Sequence, residues 1–163
     1  MTDFTDALRF LLDIEGGYSN RATDPETNFG ITRATARAHG YYGKMRNIPM
    51  TLVERIYRQS YWDACCCDEL PEPLRLVVFD AAVNSGVGQS IKWLQATLGV
   101  ETDGRIGPLT MAAVNQKDAL QVAQALLLRR ERFLRSLRKW QEYGKGWQRR
   151  LDALKNLIPS TNP

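Results

Sequence analysis

Two acids within the stretch DIEGGYSNRATDPETNFGIT (residues 13–32) stand in opposite surroundings. Glu15 lies three residues after Leu12 and four after Leu11, spacings that share one helix face. It therefore extends the apolar stripe of Phe4, Leu8, Leu11 and Leu12 and leaves the polar side to Asp6 and Asp13. It also falls in the last turn before Gly16-Gly17, a pair that stops a helix. Desolvation and the negative end of the helix dipole both favour the protonated carboxyl. That is the state a general acid needs to protonate a leaving oxygen. Asp24 instead precedes Pro25 in a polar turn, with Thr27 and Asn28 close by and Arg21 three residues back. Its carboxylate is expected to stay ionised. Taken singly, Glu15 reads as a helix-end residue and Asp24 as a turn. Taken together across a glycine break, they suit cleavage of a glycosidic bond. One carboxyl protonates the oxygen, and the other steadies charge on the sugar or activates water.

The elements that must position these acids are nearly all helical. The apolar spacing predicts a helix over residues 3–15, then a loop or small hairpin over residues 18–31, with Phe29 and Ile31 spaced like a strand. A short helix capped by Thr32 runs to His39, and another capped by Thr51 runs to Trp62. Pro71 and Pro73 precede LRLVVFDAAVNSGVG, Leu74 to Gly88, which is apolar on nearly every side and belongs at the centre of the fold. Two short helices flank a tight turn at Asp103-Gly104 within Ser90–Gln116. A long helix is expected over Lys117–Glu142, with Leu134, Phe133, Leu137 and Trp140 inward and Arg129, Arg132, Arg135 and Lys139 outward. Gly144 and Gly146 are read as its break, and a last helix runs to Ile158. The fold class is mainly α (α+β), with a small loop or hairpin beside the candidate site. Residues 1–163 read as one compact domain, with a subdivision at about residue 88 into portions 1–88 and 89–163.

Composition narrows the chemistry. The chain has 163 residues, 44% of them apolar, within the range of one globular domain. Residues 1–81 carry 9 basic and 12 acidic side chains, and residues 82–163 carry 13 and 6. The basic half suits an anionic partner or a solvated helix face, and it lacks a nucleic-acid motif. His39 is the sole histidine, which excludes a metal site or triad built on several. Cys65, Cys66 and Cys67 are adjacent, and lack the two separated pairs of a zinc site. They read as small side chains in a reducing compartment. Neither a metal nor a cofactor is expected. Residues Met1 to Leu12 lack a basic start and carry Asp3 and Asp6, so synthesis in a cytoplasm without a signal peptide is expected. No apolar run reaches the ~20 residues of a membrane span.

EGGYSNRATDPETNFGIT resembles the N-terminal signature of glycoside hydrolase family 108, peptidoglycan N-acetylmuramidases found as phage endolysins and in toxin secretion. YWDACCCDELPEPLRLVVFDAAVNSG is similar to that family's central helical segment. KWLQATLGVETDGRIGPLTMAAV resembles its predicted peptidoglycan-binding portion, through the DG-x-x-G-P-x-T pattern. The resemblance implies a lysozyme-like helical fold, and a substrate bond of the β-1,4 type from N-acetylmuramic acid to N-acetylglucosamine. The spacing of Glu15, Asp24 and Thr27 is also similar to the Glu–Asp–Thr catalytic set of phage-type lysozymes, with Asn28 as an alternative to Thr27 in that comparison. Family members often carry Asp-Pro-Gly-Gly where this chain has Asp24-Pro25-Glu26-Thr27, which leaves Asp24, Glu26 and Thr27 as alternatives for the partner of Glu15. Tyr18, Asn28, Phe29, Asn84 and Asp103 are the candidate substrate contacts, with Asp80 in reserve as a second carboxylate.

The implied partner is bacterial peptidoglycan. The implied protein is a monomer without stable membrane insertion, made in the host cytoplasm. It reaches the periplasmic wall through a holin or a secretion system. Two other functions fit the same residues. One is a lytic transglycosylase, which needs a single Glu. The other is a wall-binding protein without catalysis.

Overall fold

Asp3 opens the first helix, its carboxylate accepting the Asp6 N–H at 3.0 Å in the manner of an N-cap. The computed structural model describes residues 3–20 and 25–158, with the backbone but not the side chain of Glu15. Helix α1 (Phe4–Glu15) ends where Gly16 takes φ +70°, so Glu15 is its last residue, as the double glycine predicts. Strands β1 (Thr27–Asn28) and β2 (Ile31–Thr32) follow as an antiparallel hairpin, pairing Thr27 with Thr32 and Asn28 with Ile31. Phe29 and Gly30 form its two-residue turn at φ +50° and +73°, the double positive φ of a type I′ turn. Phe29 thus occupies the turn, and not the strand position its spacing suggested.

Thr32 caps α2 (Arg33–Ala38) by accepting the Thr35 N–H. Helix α3 (Met50–Tyr57) begins one residue before Thr51, behind Pro49, and widens into a π turn over Arg58–Trp62. Helix α4 (Leu74–Ser85) is the centre, with Leu74, Leu76, Val77, Val78, Phe79, Ala81 and Ala82 all buried. Gly86, at φ +91°, ends it earlier than expected and redirects the chain into α5 (Val87–Leu98). Helices α1, α5 and α7 (Ala119–Ser136) pack against α4. Around Phe79, the rings of Trp62, Phe4 and Tyr57 meet edge to face at 5.3 to 6.5 Å. Next to them, Cys65 and Cys67 are buried free thiols. Their mutual hydrogen bond and burial push Cys67 up, and burial does the same for Cys66. Neither Cys66 nor Cys67 is a ready thiolate.

The C-terminal helices differ from the sequence expectation. Helix α6 (Pro108–Asn115) opens with proline at its first position, as read. Helix α7 stops at Ser136 because Leu137 turns extended (φ −75°, ψ 139°), and α8 (Trp140–Leu157) then runs through both glycines. Gly144 is a packing residue. A Cβ there would lie 2.8 Å from the Trp140 ring, one turn back on the same face. Leu134 is buried as expected, whereas Phe133 is 39% exposed and Arg130 is fully buried. No helix among the described residues is long and apolar enough to cross a membrane.

Candidate active site

Tyr18, Thr27, Asn28 and Phe29 are gathered at the end of α1 by a closed loop. Ser19 donates its N–H to the Thr27 carbonyl at 2.9 Å and accepts the Thr27 N–H at 2.8 Å. This pair of bonds adds Ser19 beside β1. Asp24 lies outside the described residues, as does the Glu15 side chain. Directly paired residues share a sheet face. Ser19 and Thr27 therefore project to one side of the hairpin, while Asn28 and Ile31 are buried on the other.

Glu26 is the loop's anchor. Its carboxylate accepts the Tyr18 hydroxyl at 2.9 Å and the Arg33 Nε at 2.5 Å, and forms an ion pair with the same guanidinium. Arg46 lies 4.0 Å over the Tyr18 ring. Desolvation pushes the Glu26 carboxyl upward. The Tyr18 and Arg33 hydrogen bonds, with the charges of Arg33 and Arg46, outweigh it and hold the group below the usual carboxylate range. Glu26 is thus an ionised acceptor, unsuited to donating a proton. Tyr18 has one ring face covered by Arg46 and its hydroxyl spent on Glu26. The residues around Glu26 in the sequence do not reveal its partners, because Arg33 and Arg46 belong to later elements.

Asn28 donates its amide NH2 to the Met45 carbonyl at 2.9 Å, and more weakly to that of Arg46 at 3.5 Å. The amide is committed to holding the hairpin on the 3₁₀ turn Met45–Asn47. The Phe29 carbonyl accepts the Tyr57 hydroxyl at 2.9 Å, which ties the turn to α3. The Phe29 side chain, with Leu8, Leu12, Gly16, Gly17 and Met50, lines an open cavity of about 540 Å³ against the end of α1.

Asn84 sits at the far end of α4 in a buried polar cluster. Asp80, completely buried, accepts Arg130 Nη1 at 2.6 Å on one oxygen and Arg150 Nε at 2.8 Å on the other. Arg130 also donates to the Asn84 carbonyl oxygen at 3.1 Å. Burial pushes the Arg130 guanidinium downward, and the Asp80 charge opposes that shift. With both oxygens engaged, Asp80 is not available as the reserve carboxylate; it is a structural counter-ion.

Asp103 is in a different place. Its Oδ1 accepts Gln95 Nε2 at 2.7 Å and the Arg105 N–H at 2.9 Å, which hold its carboxyl below the ordinary range. Buried Gln95 also donates to the Arg105 carbonyl and accepts the Gly104 N–H at 2.8 Å. Gln95 is therefore the keystone of the Asp103-Gly104 turn, a role its helical position in the sequence does not reveal. The turn borders a cavity of about 720 Å³ that shares no lining residue with the one at Gly16-Gly17. Among the described residues, no cluster of three His, Cys, Asp or Glu side chains is placed to hold a metal ion.

The arrangement matches known proteins at two levels. Residues 8–86 fit the model of the family described as glycosyl hydrolase 108. The solved structure of SagA from Brucella abortus superposes with a TM-score of 0.86 at 32% sequence identity, covering 95% of this chain and 92% of that one. The chain belongs to the glycosyl hydrolase 108 family. The fold of this family 108 hydrolase is accordingly the mainly helical, lysozyme-like one, with α4 central and the hairpin at the end of α1. Residues 89–152 fit a second model, described as a predicted peptidoglycan domain, which meets the first between Gly86 and Gln89. Together they make this family 108 glycosidase a peptidoglycan hydrolase, acting in cell-wall degradation. No curated protein matches the chain.

Proposed function

We propose that the protein is an N-acetylmuramidase that cleaves the β-1,4 bond from N-acetylmuramic acid to N-acetylglucosamine. Glu15 is the general acid that protonates the glycosidic oxygen. Asp24 is the ionised partner that directs water to the anomeric carbon, with Thr27 beside it. The observation that carries this reading is local. Helix α1 ends at Glu15, and two backbone hydrogen bonds pair Ser19 with Thr27 shortly after it. A position at the C-terminal end of a helix disfavours an ionised carboxyl, which suits a proton donor. No basic residue in the last turn of α1 offsets that end. Tyr18 and Phe29 are the substrate-side candidates at this end, Asn84 is a further candidate at the end of α4, and Asn28 acts by positioning the hairpin. Asp103 serves the wall-binding half.

By analogy with phage lysozymes, the nine-residue offset of Glu15 and Asp24 leads us to expect inversion at the anomeric carbon, with carboxyl groups about 6.5–9.5 Å apart. Digestion of purified sacculi tests the assignment: wild type should release reducing muramic ends, and Glu15→Gln should release none while keeping its fold. Normal cleavage by Glu15→Gln would sink the general-acid role. Anhydro-sugar products in the mass spectrum would reassign the enzyme as a lytic transglycosylase. Binding to sacculi without any product would leave a wall-binding protein. The same resemblance supports an endolysin role for a monomeric protein that reaches the wall through a holin or a secretion route. Lysis on co-expression with a holin, and its absence without one, tests that role.

A further inference from the structure

Charged groups from three parts of the chain converge on one half-buried phenol, that of Tyr18. Its hydroxyl donates to Glu26 Oε1 at 2.9 Å, and the Arg46 guanidinium covers one face of its ring at 4.0 Å. Both holders are themselves held. The other Glu26 oxygen accepts Arg33 Nε at 2.5 Å, and the Glu26 carbonyl accepts the Arg33 N–H at 3.0 Å. Arg33 is the first residue of α2, so Glu26 is tied to a helix by main chain and side chain alike. Arg46 lies in the 3₁₀ turn that Asn28 of β1 grips through the Met45 and Arg46 carbonyls.

The Arg33 and Glu26 side chains are 39% and 15% exposed, and ion pairs with that access to solvent add little to folding stability. What the clamp fixes is the orientation of the phenol. A ligand that packs on a ring already set in place takes no rotamer freedom from it. The clamp also decides which contacts remain open. Glu26 is ionised and only accepts, so the Tyr18 proton points toward it. The phenol oxygen can still accept a hydrogen bond. Among the described residues no aromatic ring or second cation stacks on the other ring face. An aromatic face beside an acceptor oxygen suits the C–H face and the hydroxyls of a pyranose.

We propose that Glu26, Arg33 and Arg46 are positioning residues that preset Tyr18 as a stacking platform for a sugar ring of the glycan strand. This rests on the muramidase reading and adds how the strand is seated beside the general acid. Tyr18 follows Glu15 by three residues, a span of at most about 10 Å. Platform and acid therefore lie at the same end of α1 and serve the same stretch of glycan.

The test is a double-variant cycle on peptide-free glycan strands. Binding is measured by calorimetry in the Glu15→Gln background, and kcat and KM in the otherwise native chain. Tyr18→Ala should weaken binding about tenfold and raise KM by a similar factor, with kcat changed less than about threefold. Glu26→Ala should weaken binding about fivefold, and Arg33→Ala and Arg46→Ala about threefold each. Added to Tyr18→Ala, each of the three should change binding less than about twofold, because no platform is left to position. Glu26→Gln keeps an acceptor for the phenol and should recover most of the binding. A Glu26 that only supported the fold would lower Tm equally in both backgrounds and leave the effects on binding independent. The assignment is overturned if Tyr18→Ala binds within twofold of its parent, or if the effects of Glu26→Ala and Tyr18→Ala multiply. It is also overturned if Glu26→Gln binds as poorly as Glu26→Ala, or if the strands do not bind at all. Release of reducing muramic ends by wild type is the separate readout. Coupled binding without such ends would remove the muramidase reading and leave the clamp. Reducing ends with independent variants would remove the clamp and leave the muramidase reading.

Discussion

Replacing Asp80 by Asn removes a buried carboxylate that two buried guanidiniums share. Asp80 is the shared counter-ion of Arg130, which is 0% exposed, and Arg150, at 5%. Its two oxygens each take one guanidinium, at 2.6 and 2.8 Å. Removing one partner from a buried ion pair costs about 3–5 kcal/mol, because the remaining charge stays desolvated without compensation. Here the loss leaves two neighbouring cations. An Asn side chain can accept from one of them only by turning its NH2 toward the other. The upper part of the range, about 4–5 kcal/mol, is therefore expected. For a chain of this size that lowers Tm by about 8–20 °C, and consumes much of a stability of about 5–15 kcal/mol. The measurement is thermal and urea unfolding followed by circular dichroism, for Asp80→Asn, Arg130→Met and the double variant. Arg130→Met removes one cation and leaves Asp80 with Arg150, so it should be milder than Asp80→Asn. The double variant should be no worse than Asp80→Asn, giving a coupling of about 2 kcal/mol or more. Asp80→Asn within about 1 kcal/mol of wild type, or strictly additive variants, would refute the claim that this carboxylate neutralises the centre of the fold.

Other residues carry predictions of their own. Glu26 has a folded pKa below its unfolded value, so its stabilisation is fully present above about pH 4.3 and is lost as pH falls through the folded value. Between pH 5 and pH 3 the Tm of wild type should thus fall more steeply than that of Glu26→Gln; equal slopes would contradict the Arg33–Tyr18 bracket. Gln95→Leu orphans the Gly104 N–H and should cost about 1–3 kcal/mol, measured by urea unfolding together with sacculus binding. Gly144→Ala drives a methyl into the Trp140 ring and should cost about 1–3 kcal/mol with a shift in tryptophan fluorescence; an unchanged spectrum and midpoint would contradict the close packing. Asn28→Ala removes the tie from the hairpin to Met45 and should lower kcat more than it raises KM, if its role is positioning.

What could be read in the residues themselves was whatever repeats or stops within a few positions. The end of α1 at Glu15, the small hairpin after it, the largely buried α4 and the proline start of α6 all follow from helical spacing, glycine or proline. The pairing of an acid on an apolar stripe with a glycine break pointed to the same end of the molecule that the hairpin closes upon. The sequence also showed that the second half is basic. It did not show which cations are neutralised. Asp80 meets Arg130 and Arg150 across fifty and seventy residues. Glu131 neutralises Arg135 through its own helix and Lys155 through another. Gly144 looked like a break because glycine is disfavoured in helices, yet the Trp140 ring needs the space a side chain would fill. Phe133 looked inward by period, but the neighbours of α7 cover only part of its surface. Tertiary packing decides these points because a side chain's partner and exposure depend on helices brought together from distant parts of the chain. It also decides the cavities along the C-terminal half, whose walls come from α5, α6, α7 and the loop between α5 and α6 and exist only once those parts are packed.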